Sequence, residues 1–105
     1  MVDISPAFTK AQEDSRKLTS KPTNDELLEL YALFKVGNGE DFSKTEKPGV
    51  FDLKNKYKYQ AWQKLVDEGV SASDAQERYV KLVESLKEKY GYDENKEPEA
   101  VKSSS

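Results

Sequence analysis

The residues best suited to hold a charged ligand in this sequence are tyrosines and lysines at helical spacing. Tyr31 and Lys35 are four residues apart, and Lys54 and Lys58 repeat that spacing, so the members of each pair would project from the same side of a helix. Two lysines at this spacing repel each other, and a bound anion would relieve the repulsion. Lysine ammonium groups beside a tyrosine hydroxyl predict a cradle for a phosphate, with a neighbouring ring to stack on a base.

The charges are spread unevenly along the chain. The formal net charge is −3, from 17 basic and 20 acidic residues. Residues 43–64 contain six lysines and two acidic residues, so this basic island carries +4 while the rest of the chain carries −7. A basic island in an acidic protein is typical of a local anion site, although a solvated lysine face gives the same pattern. Trp62 lies within the island, but its place in the middle of an apolar stripe predicts that it packs in the core.

Several kinds of chemistry are excluded by the residue types. The sequence has no His and no Cys, which removes Ser-His-Asp catalysis, imidazole ligation, thiolate nucleophiles and disulfides. The adjacent carboxylates of Asp25 and Glu26 are explained by a helix N-terminus. Residues 37–40 lack the Gly-Lys-Ser/Thr ending of a phosphate-binding loop, and no calcium-binding loop is present. The sequence therefore predicts no catalytic residue, no metal site, no cofactor and no enzyme activity.

Composition alone leaves a choice between a small fold with a thin core and disorder. The chain has 105 residues, of which 35% are hydrophobic and 35% charged, and its mean hydropathy is −0.91. No apolar run approaches the roughly 18 residues of a membrane span. The first residues lack the basic and apolar regions of a signal peptide. We therefore expect a cytoplasmic protein without stable membrane insertion.

Capping residues and apolar periodicity predict two helices in the first third of the chain. The first begins at Ser5 and Pro6, a cap followed by a proline at the first helical position, and the run stops at residues 21–22, Lys-Pro. The second begins with a capping box at residues 23–26 and runs to about Val36. The apolar stripe predicted for the first helix is Phe8, Ala11, Ser15 and Leu18.

Two further helices follow a long loop that spans residues 37–51. The third is predicted from Asp52 to Val66 or beyond, and the fourth from Ser71 to a stop at Gly91. The predicted buried face of the third helix is Tyr57, Ala61, Trp62 and Leu65, and that of the fourth is Ala75, Tyr79, Leu82, Val83, Leu86 and Tyr90. Four amphipathic helices resolve the choice in favour of folding. Residues 1–92 are predicted to form one domain, and residues 93–105 a disordered acidic and serine-rich tail.

Several segments together resemble the acyl-CoA-binding protein family over about residues 5–92. They are Lys-Pro at 21–22, residues 26–35 ending in Leu-Tyr-Ala-Leu-Phe-Lys, residues 47–58 beginning with Lys-Pro-Gly, Ala-Trp at 61–62, Asp-Ala at 74–75, and Tyr79. The resemblance implies an all-α, four-helix up-down-down-up bundle. It also implies a cytosolic, monomeric protein that binds medium- to long-chain acyl-CoA esters and transports or buffers them without catalysis.

The resemblance also implies roles for individual residues. Tyr31, Lys35 and Lys58 correspond to the groups that hold the adenosine 3′-phosphate, and Phe34 falls where the family usually has a tyrosine beside the adenine. The remaining correspondences are Tyr79 and Lys54 near the ligand, Leu27 and Leu28 along the acyl groove, and Ala11 and Arg16 as contacts from the first helix.

The chain departs from the family pattern at a few places. Tyr59 replaces a second tryptophan, and the loop after Lys35 and the connection between the third and fourth helices are slightly longer than usual. Two alternatives to acyl-CoA binding stay open at this point. One is a small nucleic-acid or helix-binding module that uses the basic and aromatic face of residues 43–64. The other is an acyl-CoA hydrolase, which the missing His and Cys disfavour.

Overall fold

The structure, a computed structural model, describes residues 3–94, which fold into four α-helices and one short 3-10 helix. The α-helices are α1 (Pro6–Ser15), α2 (Asn24–Gly37), α3 (Leu53–Asp67) and α4 (Ala72–Tyr90), and the 3-10 helix is Phe42–Lys44. The predicted all-α four-helix bundle is confirmed. Residues 95–105 of the predicted disordered tail lie outside the described residues, so the tail stays a prediction.

Helix α2 is the centre of the bundle. It packs against both α3 and α4, whereas α1 packs against α4. Among these four helices, α1 and α3 do not approach each other closely. One face of α2 is therefore left open in the space between α1 and α3.

The helix starts follow the predicted caps. The side chains of Ser5 and Ser71 accept hydrogen bonds from the backbone at the starts of α1 and α4. Thr23 and Glu26 form a complete capping box at the start of α2, which satisfies two backbone donors that a helix start otherwise leaves unpaired. Helix α4 ends at Gly91, whose φ of 86° lies in the region that glycine adopts most readily.

The predicted extent of α1 is wrong. The helix ends at Ser15, and Leu18 lies beyond it, still buried, in an isolated antiparallel bridge with Tyr92. The reason is tertiary: the backbone N–H of Thr19 donates to the carbonyl of Gly91, and that of Asp93 donates to the carbonyl of Lys17. These bonds to the end of α4 replace the helical bonds that the apolar periodicity predicts.

The core lies mainly between α1, α2 and α4. Its largest fully buried side chains are Phe8, Leu33, Val83 and Leu86. Trp62 is the buried residue of α3, and Phe42 of the 3-10 helix packs on it edge to face with ring centroids 5.0 Å apart. The loop predicted for residues 37–51 is thus partly ordered by an aromatic contact.

The prediction that Tyr57 is buried is wrong. Its side chain is 53% exposed. Tyr57 precedes Trp62 by five residues, which is about 140° around an α-helix, so the two rings cannot share one narrow buried face.

Two buried polar side chains tie distant segments to the bundle. Gln76 of α4 donates to the carbonyl oxygens of Asp3 and Gly37, at 2.8 and 2.9 Å, and accepts from the backbone N–H of Ser5. Asp14 of α1 is only 3% exposed. Because each of these groups is hydrogen bonded, its burial does not leave a polar atom unsatisfied.

Asp14 is surrounded by three donors. Lys87 lies 2.7 Å from its carboxylate, Tyr92 donates at 2.9 Å, and Lys10 lies at 3.2 Å. Burial opposes ionisation of Asp14, but the hydrogen bonds from Lys87, Tyr92 and Lys10 outweigh burial and hold its pKa below the ordinary value. The cluster joins α1, α4 and the segment after α4.

None of the helices in residues 3–94 has both the length and the apolar character needed to span a bilayer.

Candidate functional site

A groove of about 680 Å³ runs along the uncovered surface of α2. Residues from α1 and α3 form its two sides, and Tyr79 of α4 contributes to its base. The lining residues are Gln12, Ser15, Arg16, Asn24, Leu27, Leu28, Leu30, Tyr31, Phe34, Lys54, Tyr57, Lys58 and Tyr79. Helix α1 packs on α4 and helix α3 packs on α2, and the groove lies in the space between α1 and α3, which do not meet.

The floor of the groove is apolar and aromatic. Leu27, Tyr31 and Phe34 follow one another at spacings of four and three residues on α2, so they share one face of the helix. The ring of Phe34 lies 6.4 Å from that of buried Phe8, and Phe8 packs edge to face against Tyr79 at 5.1 Å. The floor is thus continuous with the core and cannot collapse without disturbing it.

Tyr79 brings a hydroxyl group to this largely apolar surface. Its oxygen lies 3.5 Å from the hydroxyl of Ser15 on α1. Burial raises the pKa of Tyr79 above the ordinary value for a phenol. At neutral pH this side chain is therefore an uncharged hydrogen-bonding group.

Two lysines from different helices converge on Tyr31. The Nζ atom of Lys58 on α3 lies 5.1 Å from the centroid of the Tyr31 ring, and that of Lys35 on α2 lies 5.6 Å from it. Lys35 Nζ is also 5.5 Å from the centroid of the Trp62 ring and 2.9 Å from a carboxylate oxygen of Glu40. The aromatic rings hold both ammonium groups by cation–π attraction. The result is a small positive centre beside an apolar groove.

A second cavity, of about 390 Å³, lies next to the groove and shares Tyr31 and Lys58 with it. Its other walls come from the loop at residues 45–49 and from one side of α3, including Asn55 and Tyr59. Trp62 also lines this cavity. Its Nε1 atom is buried and has no hydrogen-bond partner among the described residues. Tyr31 and Lys58 thus stand where a mainly apolar groove meets a polar cavity.

A family model described as acyl CoA binding protein matches residues 5–83. The chain belongs to the acyl-CoA-binding protein family. It is 49% identical over 85 residues to acyl-CoA-binding protein homolog 1 of Caenorhabditis elegans, a match that covers 81% of this chain and 95% of that protein. It is 44% identical over 87 residues to the acyl-CoA-binding protein of Saccharomyces cerevisiae, with coverage of 83% and 97%.

A solved structure of the family has the same fold. The crystal structure of Oryza sativa acyl-CoA-binding protein 2 superposes with a TM-score of 0.71 at 31% sequence identity, covering 83% of this chain and 93% of that chain. The predicted family is therefore confirmed, together with the all-α fold. Membership in this family also supports the prediction that the chain is not an enzyme.

Most residues to which the family resemblance gives a role lie together in the groove. They are Arg16, Leu27, Leu28, Tyr31, Phe34, Lys54, Lys58 and Tyr79. Lys35 does not line the groove but lies beside Tyr31. Ala11 is buried in the core and does not line the groove either. Contact of each of these residues with a ligand stays a prediction.

Some lining residues were not predicted from the sequence. Gln12 precedes Arg16, the residue directly after α1, by four residues, so helical spacing places both on one face and could have identified Gln12. The apolar periodicity predicts Tyr57 on the buried face of the third helix, but the structure places it in the lining of the groove, next to Lys58. Glu40 lines neither cavity, but it pairs with Lys35. The sequence does not indicate this pairing, which depends on the geometry at the end of α2.

Proposed function

We propose that this protein binds medium- to long-chain acyl-CoA esters in the α2 groove and releases them chemically unchanged. One observation carries the proposal: Lys35 and Lys58 converge on Tyr31 one helical turn from Leu27. A site with clustered cations beside an apolar surface matches a ligand that has a phosphorylated head and a hydrocarbon tail.

The phosphorylated end of the ligand is proposed to lie at the lysine pair. The Tyr31 hydroxyl and the ammonium groups of Lys35 and Lys58 would hold the 3′-phosphate through charge-assisted hydrogen bonds, each contributing about 1.5–3 kcal/mol. Phe34, close by on α2, offers a ring to stack on the adenine but no hydroxyl. Lys54, one helical turn before Lys58, adds positive charge at the groove.

The hydrocarbon end of the ligand is proposed to lie along Leu27 and Leu28. Each fully buried methylene group contributes about 0.8 kcal/mol, and the cost of ordering the ligand reduces the total. Tyr79 and Arg16 line the same groove, and we propose them as polar contacts to the middle of the ligand. Ala11 would contribute indirectly, through its packing in the core beneath the groove.

The groove suits a carrier more than a hydrolase. The sequence contains no His and no Cys, so no imidazole or thiolate is available to attack the thioester. The hydroxyl of Tyr79 is un-ionised at neutral pH, since the ordinary pKa of a phenol is about 10 and burial raises that of Tyr79 further. We propose that the protein acts as a monomer that transports and buffers acyl-CoA in the cytoplasm. The nucleic-acid alternative is disfavoured because the chain carries a formal net charge of −3 and its basic island, residues 43–64, is short.

Calorimetric titration with palmitoyl-CoA tests this function. We expect saturable binding, and a rise in melting temperature with ligand concentration, because a ligand that binds only the folded state stabilises it. Unacylated CoA should bind far more weakly, and a short DNA duplex should give no saturable heat. Failure to bind palmitoyl-CoA would refute the proposal, and steep, salt-dependent binding of the duplex would support the nucleic-acid alternative instead.

A further inference from the structure

We infer that Glu40 is an internal competitor for the ligand phosphate and thereby lowers the affinity of the site for phosphorylated ligands. The inference rests on the proposed function, since it concerns the same lysine pair. A carboxylate oxygen of Glu40 lies 2.9 Å from Lys35 Nζ. One of the two ammonium groups that converge on Tyr31 is therefore already neutralised by a carboxylate of this chain.

The position of Glu40 is fixed by the way α2 ends. The backbone N–H of Glu40 donates to the carbonyl of Lys35, and the N–H of Gly39 donates to the carbonyl of Val36. Gly39 has a φ of 72°. These features are those of a Schellman motif, in which the residue after the glycine returns to the residue five positions earlier. The backbone therefore brings Glu40 to Lys35 whether or not their side chains attract each other.

The Schellman motif often joins these two positions by an apolar contact. Here they carry opposite charges, and the ion pair takes the place of that contact. The side chain of Lys35 is only 24% exposed, because it lies against the Tyr31 and Trp62 rings, whereas that of Glu40 is 40% exposed. Lys35 is thus held in place, and Glu40 is the partner that is free to move when an anion arrives.

A phosphate at Lys35 must displace the Glu40 carboxylate or share the ammonium group with it. Both outcomes cost binding free energy, since a broken ion pair and a nearby like charge oppose the new contact. Removing the charge of Glu40 should therefore tighten binding of 3′-phosphorylated ligands, by roughly two- to fivefold for a partly exposed pair. The gain should shrink as salt concentration rises.

The variant Glu40→Gln tests the inference, with Glu29→Gln as its control. Glu29 is an exposed residue of α2 that lines neither cavity, and its substitution changes the net charge equally. Each variant and the wild type are titrated with palmitoyl-CoA and with 3′-dephospho-palmitoyl-CoA. We expect Glu40→Gln to bind palmitoyl-CoA roughly two- to fivefold more tightly than the wild type, with unchanged affinity for the dephosphorylated ligand. Glu29→Gln should match the wild type with both ligands.

Three results would overturn the role of Glu40. They are unchanged affinity of Glu40→Gln for palmitoyl-CoA, equal tightening in Glu29→Gln, and equal tightening toward the dephosphorylated ligand. A second variant, Glu40→Ala, removes any hydrogen bond that the glutamine amide keeps to Lys35, and it should tighten binding at least as much. A wild-type protein that binds neither ligand would refute the proposed function itself, which is a different result from a Glu40 variant that binds like the wild type.

Discussion

Lys87 and Lys35 make the same two kinds of contact at two different places in the bundle. Each ammonium group pairs with a carboxylate and lies near an aromatic ring: Lys87 with Asp14 at 2.7 Å and Tyr92 at 4.5 Å, and Lys35 with Glu40 at 2.9 Å and Tyr31 at 5.6 Å. The carboxylates differ, since the side chain of Asp14 is 4% exposed and that of Glu40 is 40% exposed.

We propose that this difference separates a structural ion pair from one that a ligand can open. Asp14 has three donors and little access to water, so losing them would leave a buried charge. Glu40 can move into solvent at small cost, since an exposed ion pair contributes little stability. The same kind of ion pair therefore stabilises the fold between α1 and α4 and, by our proposal, gives way to a ligand phosphate beside Tyr31.

The largest expected effect on stability follows substitution of Asp14 by Ala. Lys87, Lys10 and Tyr92 lose their shared acceptor, so we expect the free energy of unfolding to fall by about 2–4 kcal/mol in urea denaturation. Palmitoyl-CoA affinity, measured where the variant is still folded, should change little.

Glu84→Ala is the matched control for Asp14. It removes the other carboxylate paired with Lys87, one that is well exposed, and should cost no more than about 0.5 kcal/mol. Similar losses in the two variants would contradict the division between a structural and an accessible pair.

The converse result is expected when Lys58 is substituted by Ala. A charge-assisted bond to the phosphate is lost, so palmitoyl-CoA affinity should fall about 10- to 100-fold. The melting temperature should barely change, because Lys58 lies at the groove and makes no ion pair among the described residues. Lys56→Ala is the control, because Lys56 is an exposed lysine of α3 that lines neither cavity. This variant should leave both the affinity and the melting temperature unchanged. Parallel loss of affinity and stability in Lys58→Ala would show a structural role.

A smaller, pH-dependent effect is expected at Glu26, which joins the start of α2 to the end of α4. Hydrogen bonds from Lys89, then Tyr90 and the backbone of Thr23, lower the pKa of Glu26 from 4.5 to about 2. A carboxylate with a lowered pKa in the folded state contributes stability above its unfolded pKa, and that contribution is lost as the pH falls from about 4.5 toward 2.

Unfolding measured between pH 6 and pH 2 in the wild type and in Glu26→Gln isolates this contribution. The wild type should lose more stability on acidification than the variant, because glutamine does not titrate. Palmitoyl-CoA affinity at neutral pH should be the same in both proteins. Identical acid profiles would show that the contacts of Glu26 do not stabilise the fold.

Local signals in the sequence predict the helix starts, whereas most of the groove residues are indicated by the family resemblance. Ser5, Thr23 and Ser71 cap their helices as expected, since capping needs only neighbouring residues. Leu18 was misassigned because its periodicity continues that of α1, while bonds to the segment after α4 end the helix earlier. The pairing of Lys35 with Glu40 depends on the exact end of α2, and helix ends are the least predictable part of an element.

The binding of saturated acyl-CoAs of increasing chain length, from about eight to about twenty carbons, tests most directly whether the α2 groove receives a hydrocarbon chain. Affinity should rise with each added methylene, by up to about fourfold where burial is complete, and then level off once the groove is filled. Affinity that is independent of chain length would show that only the nucleotide end is bound and would contradict the account.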